Sequence, residues 1–309
     1  SMLNGHVKQA AFFARTRRYA TAREASLNRT QVPESVYDNL IQEVHDNMDP
    51  MYRYMELRRR LLGVEKLHMH DIYVSLVPGS TREIPFEAAK KDVLAATALF
   101  GEEYSRVLEQ AFRDRWMDIY ENQGKRSGAY SSFTGVHPFV LLNHKDDLDS
   151  AFTLAHEMGH AMHSYLSHTY QPQVYSHYVI FVAEVASTCN EALLMQYLLQ
   201  RTEDKKERAI LLNYFLEQFR TTLYRQTMFA EFEKDIYAKV ESGETLTADM
   251  LSDRYRELNR LYYGPEMCLD KGIEMEWARI PHFYYNFYVY QYATSFCAAV
   301  AIAKRILEE

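Results

Sequence analysis

The chain has 309 residues, of which 47% are hydrophobic and 25% are charged, and its formal net charge at pH 7 is −7. A chain of this length buries about three quarters of the surface that it exposes when unfolded, and the composition is that of a globular protein. A negative charge without a long basic run argues against nucleic acid or an anionic membrane as the main partner. Peptides and small molecules remain as the expected partners.

Three cysteines, Cys189, Cys268 and Cys297, form neither a CxxC pair nor an even set. This pattern predicts reduced thiols and a cytoplasmic location. The N-terminal segment lacks the apolar core of a signal peptide, and the most apolar segment, 287–303, is too short to span a membrane and predicts a buried helix. Both ends resemble cut ends, so we expect a piece of a longer protein.

Long segments with apolar residues at helical spacing predict a mainly α protein. Two examples are 35–48, SVYDNLIQEVHDNM, and 207–240, ERAILLNYFLEQFRTTLYRQTMFAEFEKDIYAKV. Segment 125–143, KRSGAYSSFTGVHPFVLLN, differs because it mixes Gly, Ser and β-branched or aromatic residues in two short runs. These runs predict a small antiparallel sheet.

The helix predicted after this sheet carries the pattern HExxH. In segment 147–166, DLDSAFTLAHEMGHAMHSYL, a cap at Asp149 or Ser150 opens a helix on which His156 and His160 lie four residues apart. Four residues turn a helix by about 400°, so both imidazoles leave the same face one turn apart and can bind one ion. This is the spacing that a zinc site needs.

Glu157 directly follows the first histidine of the pattern. Its carboxylate is expected to project beside the metal, where it can take a proton from metal-bound water. The apolar residues before the pattern and the preceding strand candidate, FVLLN, favour a metal site over a chance match.

A catalytic zinc ion needs three protein ligands and one open position for water. The longer pattern HExxHxxGxxH is excluded, because its glycine and third histidine are replaced by His163 and Leu166. His163 is about 10.5 Å from His156 along the axis of a straight helix, which is too far to share one ion. We expect His163 to line the cleft or to pack, with a role as a ligand as the alternative.

A carboxylate in segment 181–200, FVAEVASTCNEALLMQYLLQ, is a better candidate for the third ligand. Glu184 and Glu191 interrupt this apolar helix, and carboxylates on a buried face are unfavourable without charged partners. Zinc would be such a partner for Glu184. Glu191 lies two turns further on and is a candidate for a hydrogen bond to a ligand histidine. A solvated helix face is the alternative interpretation of both glutamates.

Segment 282–292, HFYYNFYVYQY, holds five tyrosines and one histidine without a charged residue. Tyr285, Tyr288 and Tyr292 recur at the spacing of one helix face, and a buried aromatic core is the structural interpretation. Each buried phenol needs a hydrogen-bond partner, and leaving one unpaired costs roughly 1 to 3 kcal/mol. A nearby site that requires hydrogen-bond donors is the functional interpretation.

Three motifs together resemble the oligoendopeptidase F and thimet oligopeptidase family of zinc metallopeptidases, most closely its oligoendopeptidase F branch. They are AHEMGHAMHSYL, FVAEVASTCNE and PHFYYNFYVYQYAT, and weaker similarity covers nearly all of the chain. The resemblance implies a zincin-like, mainly helical body, with the small antiparallel sheet next to the HExxH helix, that lines a deep channel for short peptides.

Members of this family are considerably longer at both ends. The resemblance therefore implies that 1–309 is a single catalytic domain cut from a longer chain. We expect a helical part at 1–120, the small sheet at 121–145 and a helical zinc-site part at 146–309.

The resemblance also assigns roles to residues. It implies that His156, His160 and Glu184 bind one zinc ion and that Glu157 is the general base. In the family, an aromatic segment offers tyrosine hydroxyls and a histidine to the substrate carbonyl as it becomes an oxyanion. The matching residues are His282, Tyr285 and Tyr292, followed by Tyr288 and Tyr290.

The segment SGAYS resembles the edge strand of the family. There, backbone groups of Gly128, Ala129 and Tyr130 would pair with an extended peptide. A structural hairpin with a turn glycine is the alternative interpretation.

The expected function is that of a zinc-dependent endopeptidase that hydrolyses short oligopeptides, with zinc-bound water activated by Glu157 attacking the peptide carbonyl. An exopeptidase similar to a dipeptidyl carboxypeptidase is one alternative. A non-catalytic, zinc-containing fragment that binds peptides is another.

Overall fold

The structure of the protein is a computed structural model, which describes residues 2–77 and 83–308. The chain divides into two compact units. Unit 1 comprises Ser1–Leu76 and Leu216–Thr294, and unit 2 comprises Val77–Phe215 and Ser295–Glu309.

Twelve α-helices and three β-strands, numbered in chain order, form the regular structure of the described residues. The helices are α1 (Met2–Thr16), α2 (Ala22–Asn28), α3 (Glu34–Asp46), α4 (Asp49–Leu62), α5 (Phe86–Thr97), α6 (Glu102–Arg113), α7 (Leu148–Tyr170), α8 (Ile180–Arg201), α9 (Lys205–Gln218), α10 (Arg225–Glu241), α11 (Ala248–Tyr263) and α12 (Tyr290–Glu308). The strands are β1 (Met117–Asp118), β2 (Tyr130–Phe133) and β3 (Pro138–Leu141). The prediction of a mainly α protein with a small sheet is confirmed.

The sheet has the strand order β1-β3-β2. The predicted antiparallel pair is present as β2 and β3, with Tyr130 opposite Leu141. A further strand that the sequence does not predict, β1, lies outside segment 125–143 and pairs with β3 in the parallel direction. Two residues are too few to show the alternating pattern by which a strand is recognised in a sequence.

The helix that carries HExxH begins two to three residues earlier than predicted. Asp147 is its N-cap, in extended conformation, and its side chain accepts a hydrogen bond from the backbone N–H of Ser150. The prediction of a cap at Asp149 or Ser150 is therefore wrong. An aspartate at the N-cap satisfies one of the free N–H groups of the first turn, and this role belongs to Asp147.

The predicted helix over 207–240 is present but is not uniform. A π-helical segment, Phe219–Tyr224, joins α9 to α10. Within it, the hydroxyl of Thr221 donates to the carbonyl of Glu217 and so competes with the backbone donors of the helix for this acceptor.

The aromatic segment 282–292 does not form one helix. A short 3-10 helix ends at Tyr284, and α12 begins only at Tyr290. Between them, Asn286 has φ 47° and Phe287 has φ 57°, which are left-handed backbone conformations outside the helical range. Helical spacing therefore does not explain how Tyr285 and Tyr288 are arranged.

Unit 2 packs around α7 and α8. Their facing side chains belong to one buried apolar cluster that also includes residues of α5, α6 and β3. Small residues such as Ala155 and Ala161 are fully covered on α7. Within the described residues, no helix combines the length and the apolar character that crossing a membrane requires. The single catalytic domain expected over 1–309 stays a prediction.

Unit 1 packs around α10, which contacts α1, α3 and α11. Glu233 of α10 is 0% exposed, and its Oε1 accepts a hydrogen bond of 2.6 Å from the backbone N–H of Phe287. Burial raises the pKa of Glu233 to about 8, and this hydrogen bond only partly offsets the effect. Two tyrosines also face this carboxyl group, Tyr37 on α3 and Tyr237 on α10.

This buried acid makes the stability of the protein depend on pH. An unfolded glutamate has a pKa of about 4.3, so between about pH 4.3 and about pH 8 the folded state holds a proton that the unfolded state has lost. Stability therefore falls as the pH rises through this window. Glu233→Gln removes the titrating group, so the wild type should lose on the order of 3 to 5 kcal/mol relative to this variant between pH 4 and pH 9.

Urea unfolding of both proteins at several pH values measures this difference. A difference in the free energy of unfolding that stays constant across the pH range would contradict a neutral, buried Glu233.

Candidate metal centre

The residues of the HExxH pattern lie in the middle of α7, where helix geometry fixes their spacing. The rings of His156 and His160 are 4.7 Å apart and nearly perpendicular to each other. Both histidines are half-buried, whereas Glu157 between them is 6% exposed. The pattern therefore places two half-buried imidazoles side by side on one face of α7.

Gly159 allows α8 to approach this part of α7 very closely. A Cβ atom at Gly159 would lie 2.6 Å from the Cα atom of Ser187 and 2.8 Å from the carbonyl oxygen of Ala186. Such distances are too short for any side chain, so only glycine fits here. The close approach brings Glu184, one turn before Ser187 on α8, opposite the two histidines.

Three donor atoms converge between α7 and α8. Oε2 of Glu184 is 3.3 Å from Nε2 of His156 and 3.5 Å from Nε2 of His160. Ligands at the usual zinc distances of about 2.0 to 2.1 Å lie about 3.3 Å apart in a tetrahedral site. Both distances from Glu184 fit a zinc ion, and all three donor atoms lie within 4.8 Å of one another. The combination of two imidazoles and a carboxylate is a common catalytic zinc set.

The surrounding side chains hold these donors in place. Nδ1 of His156 is 2.6 Å from Oε1 of Glu191, and the hydroxyl of Ser187 donates to Oε2 of Glu184 over 3.1 Å. A carboxylate on the second ring nitrogen fixes the orientation of an imidazole and leaves its Nε2 for a metal. Glu191 occupies this place.

The charges of the group favour a cation. Burial disfavours the charged form of His156, but hydrogen bonds with Glu184 and Glu191 outweigh it and raise the pKa of His156 to about 10. Burial also acts on Glu184, yet the two histidines hold the pKa of this carboxyl group well below its usual value. Two carboxylates thus require positive charge between them, which a proton or a metal ion can supply.

Glu157 is in a different environment from that of the other two glutamates. Its Oε2 is buried and has no hydrogen-bond partner among the described residues. Burial raises the pKa of Glu157, and the neighbouring histidines counteract this only in part. A carboxyl group that is readily protonated and has a free oxygen is suited to receive and release a proton.

His163 is not among the converging donors, which are His156, His160 and Glu184. Its ring stacks on Tyr178 at 3.7 Å with an angle of 11° between the planes. The side chain also lines a cavity with residues of α8 such as Val182, and its role stays a prediction.

A second group of donors lies in unit 1. It comprises His68, His70 and Asp270. Nδ1 of His68 is 2.8 Å from Oδ1 of Asp270, whose Oδ2 accepts from the N–H of Met69. The side chain of His70 is 73% exposed. These bonds already join two loops and satisfy the carboxylate, whereas the group on α7 and α8 leaves the buried oxygen of Glu157 without a partner.

Four side chains of the aromatic segment form a cluster in unit 1, hereafter the tyrosine cluster. Its members are His282, Tyr285, Tyr288 and Tyr292. The ring of His282 is 5.7 Å from that of Tyr285 and 6.2 Å from that of Tyr288, and the rings of Tyr288 and Tyr292 are 5.4 Å apart. Tyr290 lies elsewhere: it is 1% exposed and packs on Tyr37 at 4.9 Å.

The predicted edge strand corresponds to β2. Tyr130 is its first residue, lies on the outer strand of the sheet and is 52% exposed. Gly128 has φ 88°, a conformation that favours glycine, and its carbonyl accepts from the side chain of Asn143. Gly128 and Ala129 thus directly precede the strand. Pairing of this backbone with a peptide substrate and a purely structural hairpin both stay open as interpretations.

Comparison with known proteins identifies the family. The model of Peptidase family M3 matches residues 1–309. The chain belongs to peptidase family M3. Together with the relatives named below, this match confirms the resemblance to oligoendopeptidase F and the expectation of a metallopeptidase family.

Two curated bacterial proteins are similar to nearly the whole chain. The chain is 48% identical to oligopeptidase PepF of Bacillus subtilis and 47% identical to the chromosomal oligoendopeptidase F of Lactococcus lactis subsp. cremoris. These matches cover 99% of this chain but 46% and 51% of the relatives, so the chain spans about half the length of the curated relatives it matches. The crystal structure of oligoendopeptidase-F from Enterococcus faecium is 42% identical, with a TM-score of 0.76 over 99% of this chain and 48% of that chain.

Sequence reasoning did not identify two residues that shape the candidate metal centre, Gly159 and Ser187. Gly159 is one of two unspecified positions in HExxH, and Ser187 is one polar residue within an apolar helix. The only signal available was that a glycine in the middle of a predicted helix usually has a packing reason.

Gly159→Ala tests the close approach of the helices. The added methyl group should push α8 away, destabilise the protein by about 1 to 3 kcal/mol and weaken zinc binding by separating Glu184 from the histidines. Denaturant unfolding and competition with a chromophoric chelator measure the two effects. Gly5→Ala in α1 is the matched control, because a Cβ atom there meets nothing within 4 Å. Equal behaviour of the two variants would contradict the packing argument.

Proposed function

We propose that residues 1–309 are the catalytic domain of a zinc-dependent endopeptidase that hydrolyses short oligopeptides. The observation that carries this proposal is the convergence of His156, His160 and Glu184 near Glu157, one buried oxygen of which has no hydrogen-bond partner in the described ranges 2–77 and 83–308. The names of the relatives, which describe oligopeptidases, support the substrate class. The three free cysteines support a cytoplasmic location.

In this proposal, His156, His160 and Glu184 hold one zinc ion. When bound, zinc polarises the substrate carbonyl as a Lewis acid and lowers the pKa of a coordinated water molecule. Glu191 accepts the Nδ1 proton of His156 and keeps Nε2 directed at the ion. Ser187 orients the carboxylate of Glu184 in the same way.

Glu157 carries the proton in this reaction. Its carboxylate takes a proton from the attacking water, and its raised pKa favours keeping that proton until the leaving amine forms. The acid then protonates the amine and becomes a carboxylate again. One side chain therefore acts first as general base and then as general acid.

The tyrosine cluster supplies hydrogen-bond donors to the developing oxyanion in this proposal. Neutral phenols such as Tyr285 and Tyr292 can donate without competing for the metal, as can the ring of His282. Each donor that acts on a developing charge in a site without water contributes on the order of 3 kcal/mol. The backbone of 128–130 pairs with the extended peptide as an added strand.

Glu157→Gln tests the role of the general base. The variant should still bind one zinc ion, because Glu157 is not a ligand, but kcat on a quenched peptide should fall by about 10² to 10⁴. Metal analysis and the cleavage assay report these two properties separately. Asp149→Asn, at an exposed acid of the same helix, is the matched control. Turnover by Glu157→Gln at the rate of the control would reject the assignment.

Fragment analysis tests the reaction class. Zinc-loaded protein incubated with a mixed peptide library should produce internal cuts that mass spectrometry identifies, and chelation should abolish them. Losses only from the ends of peptides would instead indicate an exopeptidase. Bound zinc and bound peptide without any cleavage would indicate a non-catalytic peptide-binding protein.

A further inference from the structure

A strained turn lies inside the aromatic segment of unit 1. Asn286 and Phe287 are two successive residues other than glycine with positive φ, and they separate Tyr285 from Tyr288. Side chains with a Cβ atom are disfavoured in this conformation, and such turns persist only when contacts from the surrounding structure hold them. The contacts around this turn therefore indicate what fixes it.

Asn286 is held by three side chains from three helices. Its backbone oxygen accepts a hydrogen bond of 2.7 Å from the hydroxyl of Ser26 on α2. Its side-chain oxygen accepts one of 2.7 Å from the hydroxyl of Tyr237 on α10, and Nε2 of His6 on α1 lies 2.6 Å from the same atom. The left-handed conformation of Asn286 is thus fixed from both its backbone and its side chain.

Phe287 is held by its ring and by its backbone. The ring is 2% exposed and lies between Tyr37, at 5.8 Å, and Tyr237, at 4.5 Å. The backbone N–H donates to Oε1 of Glu233, which is fully buried. The other oxygen of Glu233 has no hydrogen-bond partner among the described residues, so the bond from Phe287 is the one hydrogen bond that they supply to this buried carboxyl group.

The turn decides how the tyrosine cluster is assembled. Tyr285 precedes the turn and Tyr288 follows it, and their rings meet at 6.1 Å and 80°. If Asn286 and Phe287 relaxed to the right-handed region, the chain would leave the turn in another direction, and these two rings would separate. The hydrogen bond from Phe287 to Glu233 therefore affects the positions of the Tyr285 and Tyr288 rings.

We propose that Glu233 is a positioning residue, which fixes the tyrosine cluster by holding the backbone of Phe287 in its left-handed conformation. The inference rests on the proposed role of the cluster as donor to the oxyanion. It adds that a carboxyl group in the core of unit 1 determines where these donors point. The length of the Glu233 side chain, and not its charge, is the property that holds the turn in this proposal.

Two conservative variants separate reach from charge. Glu233→Gln keeps an oxygen at the distance of Oε1 and should preserve the turn. Glu233→Asp keeps the carboxyl group but shortens the side chain by one methylene, so its oxygen cannot reach the N–H of Phe287. Glu231→Gln is the matched control, because Glu231 lies on the same helix, is 8% exposed and bonds instead to Arg254 and Tyr262.

Hydrogen exchange provides a readout that does not depend on activity. In the zinc-loaded protein, Glu233→Asp should lower the protection of the 285–288 amides by about tenfold or more, while Glu233→Gln and the control leave it unchanged. Unchanged protection in Glu233→Asp would overturn the proposal. Should Glu233→Asp not fold, Asn286→Ala, which removes the bonds of the asparagine side chain, tests the same turn with the same readout.

Peptide kinetics then connect the turn to the reaction. Glu233→Asp should lower kcat by about 10- to 100-fold with little change in KM, the signature of misplaced donors that act in the transition state. Tyr285→Phe measures the donor role directly. Full activity of Tyr285→Phe and its Tyr292→Phe counterpart would overturn the donor role in the proposed function while the exchange result still reports on the turn. A third outcome would overturn the positioning role alone. In it, Glu233→Asp loses the protection of the 285–288 amides but keeps its kcat, while Tyr285→Phe and Tyr292→Phe are impaired.

Discussion

The close approach of α7 and α8 at Gly159 is the constraint on which the metal centre depends. Packed helices ordinarily lie 8 to 10 Å apart, with the distance set by the side chains at the contact. Here the contact residue has no side chain, and the backbone of Ser187 fills the space that a Cβ atom would occupy. A glutamate has a limited reach, so the 3.3 Å and 3.5 Å distances from Glu184 to the two histidines require this separation.

The same approach also explains why the polar residues of α8 lie where they do. Ser187 lies at the point of contact, Glu184 lies one turn before it, and Glu191 follows two turns after Glu184. Glu184 lies beside both histidines, the hydroxyl of Ser187 donates to Glu184, and Glu191 lies beside Nδ1 of His156. A helix that would otherwise bury carboxylates in an apolar interface thereby satisfies them.

Three glutamates in this protein differ in ionisation because their surroundings differ. Glu184 faces two imidazoles, which hold its pKa low. Glu157 lies beside the same imidazoles but makes no bond to them, and burial raises its pKa. Within the part of the chain that the structure describes, Glu233 has a backbone N–H as its one hydrogen-bond partner, and burial raises its pKa to about 8. The sequence singles out Glu157 and Glu184 but not Glu233. The donors and cations around each carboxyl group decide whether it is an anion, a proton carrier or a neutral acid.

The sequence predicts well what a single helix determines. His156, Glu157 and His160 needed only the geometry of an α-helix, and Glu184 stood out as an acid in an apolar run. Features that depend on distant contacts were not predictable in this way. The two-residue strand β1 is defined only by its pairing with β3. The turn at Asn286 contains no glycine, which is the residue that usually indicates a left-handed backbone in a sequence.

The aromatic segment shows the physical origin of this difference most clearly. Its spacing of tyrosines is that of a helix face, yet hydrogen bonds from α1, α2 and α10 hold its centre in a conformation that no helix contains. The residues that make these bonds are as far as 280 positions away in the chain. The tyrosine cluster is consequently a property of the whole of unit 1, because its geometry is lost if any of the three supporting helices fails to pack. The histidines of α7, in contrast, keep their mutual spacing wherever that helix forms, and depend on α8 only for the carboxylates that complete the group.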